Sequence, residues 1–198
     1  MAQTRPGGRT ANVRSAVLDA TADLLVESGL EKVELSAVAQ RAGVSKSTVY
    51  RRWGTVTALV ADLLVEMANT SSKRPATGSL DGDLLAIAKL IQRTLADPRQ
   101  GRLFAAIIAA ATCNRDTAEA LADFYNTRTE EFRPVVIDGI ARGEAPAGTD
   151  PAEVIRYLSA PLYYRLLTGG GVPKKEHAAR ATSAAMAAIA AGVFVTRR

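Results

Sequence analysis

Apolar side chains recur along the chain at intervals of three and four, and no segment alternates apolar and polar as a half-buried strand does. A first helix is predicted over 13–28, with Val13, Val17, Ala20, Leu24 and Leu25 on one face and Gly29 as its stop. A short second helix covers 35–42 and ends at Gly43. A third starts after Ser45, a good N-cap, and ends near Trp53 and Gly54. Val56, Leu59, Val60, Leu63, Leu64 and Met67 form the stripe of a fourth helix. The polar stretch 69–79 then reads as a linker and subdomain boundary.

Beyond it, Leu80, Leu84, Ile87, Ile91 and Leu95 mark a fifth helix that Asp97 and Pro98 stop. A sixth, nearly all apolar and so expected to be buried, covers 103–111. A seventh runs over 116–142 with a kink expected at Pro134, and Asp150 caps an eighth with Pro151 in its first turn. That helix reaches Thr168 with a bend at Pro161. The glycines 169–171 separate it from a ninth over 174–195. The chain therefore reads as all-α.

Composition changes this picture little. Of 198 residues, 47% are hydrophobic and 23% charged, a globular balance rather than a disordered one. The net charge of +5 is unevenly spread, with eight Lys/Arg against five acids up to Trp53. That excess is compatible with a nucleic-acid partner without establishing one. A single cysteine, Cys113, excludes an internal disulfide, and its place after an apolar run predicts a small buried thiol. The polar start carries no signal-peptide core and no later run is long enough for a membrane span, so a cytoplasmic chain without membrane contact is expected.

Catalytic chemistry has little to stand on. His177, the sole histidine, begins the last helix beside charged neighbours and reads as a surface residue, with no second ligand at metal-site spacing. Glu130 and Glu131 are consecutive and diverge by about 100° on a helix. The triple glycine lacks the Lys and Ser/Thr of a phosphate loop. No enzyme, metal or cofactor is expected.

Residues 35–53 hold the most informative pattern. Val38 and Ala39 pack the second helix inward, and small Ala39 lets the third helix approach. Gly43 makes the turn, Val44 plugs the core, and Ser45 caps. Val49 and Trp53 face inward at i and i+4, leaving Lys46, Ser47, Thr48, Arg51 and Arg52 outside. A short helix with donors on its outer face suits the major groove of a DNA duplex. The rival reading is a compact helical module that binds protein and no specific DNA.

Leu35, Val38, Ala39, Ala42, Gly43, Val44, Ser45, Thr48, Val49, Tyr50 and Trp53, in this order and spacing, resemble the tetracycline-repressor (TetR) family of transcriptional regulators. The resemblance implies an N-terminal three-helix helix-turn-helix domain within 12–70, its motif over about 34–53. A six-helix regulatory and dimerisation domain would follow over 80–197. It implies a dimer binding a palindromic double-stranded operator, most simply as a repressor relieved by a small-molecule effector. It places Lys46, Thr48 and Arg51 near bases or phosphates, Tyr50 and Arg52 on backbone phosphate, and Ser47 at either.

Two positions depart from the family. Glu34 stands where Thr usually caps the second helix, and Val56 where a Lys often opens the fourth. Arg5, Arg9 and Arg14 offer an arm that would compensate in the minor groove.

Ala178, Ala181, Ala185, Ala188 and Gly192 make a small-residue face on the ninth helix, with Met186, Ile189 and Val193 beside it. Either it joins the eighth helix in a bundle between two subunits, as the resemblance implies, or it packs within its own subunit. The resemblance also implies an effector pocket among the fifth to eighth helices. Phe104, Ile108, Phe124, Tyr125, Arg128, Tyr157 and Tyr163 are candidate lining, and each is equally readable as core. Arg128 either snorkels to solvent or pairs an acidic group of a ligand.

Overall fold

The computed structural model describes residues 6–69 and 74–196, with side chains from Thr10 onward. Nine α-helices and no strand occur among the described residues, with one isolated antiparallel bridge between Thr149 and Val195. Two compact units emerge. The first takes the chain up to residue 70 together with Arg102–Phe124, and the second takes 71–101 with 125–198.

The first unit begins with α1 (Pro6–Ser28), which opens seven residues earlier than the apolar pattern predicts. Proline at the first helical position costs no hydrogen bond, because that amide has no intrahelical acceptor. A short 3-10 turn, Leu30–Lys32, leads to α2 (Leu35–Arg41), α3 (Lys46–Arg52) and α4 (Val56–Asn69). Val17, Leu18 and Leu25 of α1, Val38 and Ala39 of α2, Val49 of α3 and Leu59, Val60 and Leu64 of α4 are all buried, giving this unit its apolar interior.

α5 (Leu80–Ala96) is capped by Ser79, whose hydroxyl accepts from the Gly82 amide. α6 (Pro98–Ala111) starts five residues before the predicted helix. The Asp97 carboxylate accepts from the Arg99 amide at 3.0 Å and the Gln100 amide at 2.8 Å, so the Asp-Pro pair that stops one helix also caps the next. α6 is not buried all round: Leu103, Phe104 and Ile107 are inside, Ile108 is half-buried and Ala109 is exposed. Cys113 lies past the helix end in a turn, and its thiol is exposed rather than buried.

α7 (Arg115–Ala141) and α8 (Pro151–Leu167) run on through Pro134 and Pro161, and Asp150 caps α8 as expected, accepting from the Ala152 amide at 2.8 Å. α9 (Lys175–Ala190) stops five residues short of the predicted end. The chain turns at Gly192, and the Phe194 carbonyl then accepts from the Asp150 amide at 2.8 Å.

The core of the second unit joins Leu80, Leu84 and Ile87 of α5, Phe132, Val135 and Val136 of α7, and Val154, Ile155 and Leu158 of α8. Ala178, Ala181, Ala185 and Ile189 of α9 complete it. The alanine face predicted as a subunit contact is therefore largely spent inside its own chain. Small side chains there let α9 lie close against α5 and α8.

Candidate nucleic-acid interface

The turn between α2 and α3 is closed by its backbone. Gly43 adopts a left-handed conformation (φ 66°) that a side chain would resist, and the Val44 amide donates to the Ala39 carbonyl at 3.0 Å. Ser45 then caps α3: its hydroxyl accepts from the Thr48 amide at 3.3 Å and lies 2.8 Å from the Thr48 hydroxyl and 3.0 Å from that of Ser47. Glu34 makes no comparable cap on α2, and its carboxylate instead accepts from the Ser36 hydroxyl at 3.0 Å.

Val49 is fully buried, while Lys46, Ser47, Tyr50, Arg51 and Arg52 are exposed and Thr48 is half-buried. The six predicted residues thus share one seven-residue helix whose remaining member faces the core. Lys46 and Arg51 have no carboxylate partner among the described residues. Arg52 is partly engaged, its guanidinium 4.9 Å from the centre of the Trp53 ring.

What holds α3 in place is a polar knot that the sequence pattern did not single out. The indole Nε1 of Trp53 donates to the Asp62 carboxylate of α4 at 2.9 Å, and Arg14 of α1 meets the same carboxylate at 2.7 Å and also pairs with Glu66. Burial opposes charge on Asp62, but the donors from Arg14 and Trp53 outweigh it and hold the carboxyl below its usual range. A signal existed. Asp62 and Glu66 are one turn apart on α4, beside its apolar stripe, so both present to one neighbour.

The predicted arginine arm changes accordingly. Arg14 is not part of an arm, because it lies within α1 and is committed to Asp62 and Glu66. Arg5 and the side chain of Arg9 lie outside the described residues. Val56 opens α4 half-buried, and Thr55 caps that helix, its hydroxyl accepting from the Ala58 amide at 3.1 Å.

The predicted effector-site residues fall into pairs. Phe104 and Phe124 sit 5.7 Å apart between ring centres in the first unit, and Ile108 is half-buried on the same α6. In the second, Tyr125 and Tyr163 meet edge to face at 5.4 Å. Burial pushes the Tyr163 phenol up to about 12, although a hydrogen bond from Tyr125 and the charge of Arg128 act in the other direction. Tyr125 is driven higher still, by burial first and then by Tyr163. Arg128 does not simply snorkel: it pairs with Glu131 at 2.7 Å and lies 5.0 Å from the Phe132 ring centre. Tyr157 is 45% exposed and packs edge-on against Phe194.

An all-helical chain with a helix-turn-helix near its start and a basic outer face on the second helix of that motif defines a class of DNA readers. Residues 17–63 match the family model "Bacterial regulatory proteins, tetR family", and 74–185 match "Tetracyclin repressor-like, C-terminal domain". The chain is 30% identical over 171 residues to the HTH-type transcriptional regulator YdeS of Bacillus subtilis, covering 86% of each. It is 31% identical to the HTH-type transcriptional regulator AqdR of Rhodococcus erythropolis, covering 76% of this chain and 72% of that one. Among solved structures, the TetR family transcription regulator SCO0332 superposes with a TM-score of 0.69 at 25% identity, over 88% of this chain and 97% of that one. Salmonella enterica GusR shares the fold with a TM-score of 0.72 at 20% identity, over 97% of each. The chain belongs to the TetR family and is a DNA-binding transcriptional regulator.

Proposed function

We propose that this regulator is a repressor that binds a palindromic operator as a homodimer and is released by a small-molecule effector. In this reading residues 12–70 form the DNA-binding domain and 80–197 the effector-binding and dimerisation domain. The observation that carries it is α3 itself: buried on Val49, capped by Ser45, with Lys46 and Arg51 exposed and unpaired. Lys46, Thr48 and Arg51 reach base edges or adjacent phosphates, Tyr50 and Arg52 engage phosphate, and Ser47 serves either. No group of three or more His, Cys, Asp or Glu among the described residues is arranged to hold a metal ion. No described helix is long and apolar enough to cross a membrane. In this reading the regulator works in the cytoplasm, where a bacterial operator lies.

One helix-turn-helix buries too little surface for specific recognition, so two are needed. With Ala178, Ala181 and Ala185 spent in the core, the dimer contact falls to the outward faces of α8 and α9. There Tyr164 (70% exposed) and Leu167 are bare on α8, and Ser183, Ala184 and Ala187 are exposed on α9. The effector is assigned to the second unit, around the Tyr125–Tyr163 pair and Arg128. Tyr157, half in solvent against Phe194, is the weakest of the original lining set. An effector that binds the released shape about a hundredfold better supplies about 3 kcal/mol of coupling.

Gel retardation with duplexes from the chain's own genomic neighbourhood tests the proposal. One duplex should be retarded, with affinity falling steeply as salt rises. Absence of any salt-dependent shift would leave the protein-binding module as the better account.

A further inference from the structure

A cavity of about 660 Å³ in the second unit lies where α8 ends, the glycine loop turns and α9 begins. Arg165, Lys174, Lys175, Glu176, His177 and Gln92 are among the residues around it. We propose that this cavity is an anion site that takes the phosphate or carboxylate group of a small molecule.

Charge is the first argument. Arg165, Lys174 and Lys175 face a single carboxylate, that of Glu176, and none of the three cations has an ion-pair partner among the described residues. The His177 ring is engaged locally, its Nδ1 accepting a hydrogen bond from the Lys174 amide at 2.8 Å. The next amides of α9, those of Lys175 and Glu176, have no intrahelical acceptor by helix geometry and stand at the positive end of a sixteen-residue helix.

Arg165 is what distinguishes the place from a patch of surface lysines. Its Nε is buried and has no hydrogen-bond partner. Gly170 passes close beside the Arg165 stem: a Cβ there would come within 3.0 Å of the Arg165 Cγ and 3.3 Å of its carbonyl oxygen. The loop above is fastened from below, since buried Gln92 donates from Nε2 to the Pro173 carbonyl at 2.8 Å. Arg165 as a whole is only half-buried, and its guanidinium carries further donors beside Nε, from which an oxyanion in the cavity can take charge-assisted bonds. The planar fork of Arg suits phosphate and carboxylate, while the two lysines supply mobile charge at the rim. An occupant bridges the end of α8 to the start of α9.

The site lies wholly in the second unit and uses none of the DNA-reading residues, so its test does not depend on that reading. Isothermal titration calorimetry of the full chain, with potassium phosphate in one arm and potassium citrate in another at fixed ionic strength, measures it. Saturable binding of one anion per chain is expected, with Kd below about 1 mM in at least one arm. The better arm identifies phosphate or carboxylate as the preferred group. Arg165→Met, which keeps the stem, should weaken binding about tenfold or more. The surface double variant Lys174→Gln/Lys175→Gln should weaken it with an unchanged thermal melt, and keeps the test decisive should the Arg165 variant fold poorly. The proposal is overturned if neither anion saturates below about 10 mM, or if the double variant binds like wild type. It is equally overturned if binding is lost in Arg51→Ala but kept in Arg165→Met, since the anion would then sit on the DNA face.

Discussion

Asp62 gathers the Trp53 indole and the Arg14 guanidinium, so one carboxylate fixes the last turn of α3 against α1 and α4. Asp62→Asn keeps the shape and removes the charge; we expect a loss of about 1–3 kcal/mol in chemical denaturation, with a changed Trp53 emission. Because the folded Asp62 titrates below its ordinary value of 3.8, its contribution is present above that pH. It is lost as pH falls through the depressed folded value. Wild type should therefore lose stability below about pH 3.8 more steeply than Asp62→Asn, as melts between pH 2 and 6 would show. Arg51 carries the opposite expectation. Arg51 has no ion-pair partner among the described residues, so Arg51→Ala should leave helicity and dimerisation intact while weakening operator binding by about 1–3 kcal/mol, read by fluorescence anisotropy.

At the scale of elements, α2, α3 and α4 were legible because each carries local punctuation: Gly43, the Ser45 cap, and an apolar stripe of i, i+3, i+4 spacing. The ends of α1, α6 and α9 were not. Pro6 and Asp97-Pro98 start helices through caps that an apolar period does not register, and α9 ends where Gly192 lets 193–196 fold back on 148–150. The reading helix was found from local spacing, whereas Asp62 escaped because its partners lie 48 and 9 residues away. The face of α9 was ambiguous for a related reason. Alanines occupy both sides, and only α5 and α8 decide which side is inside. Overfilling the inner side with Ala181→Leu should cost about 1–3 kcal/mol of stability. Ala187→Glu, on the outer side, should leave far-UV circular dichroism unchanged and shift the sedimentation of the protein towards monomer.

For the whole molecule, the modest net charge of +5 matters less than where unpaired cations lie. Association with an operator should respond to salt through a handful of phosphate contacts per subunit, each adding about 0.9 to the slope of log affinity against log salt. Removing Arg52 should lower that slope, whereas changes at Arg165 or Lys174 should not, since those groups belong to the second unit and not to the reading helix.

Cys113, displaced from the expected interior to the turn after α6, gives the chain one exposed thiol and no other. A nitroxide can therefore be attached to the native sequence at a single place. In a homodimer the two labels form one spin pair, so a pulsed electron resonance trace would give a direct ruler between the two copies. Any change in that distance on adding operator DNA, and its reversal by an effector, would be read without altering a single residue.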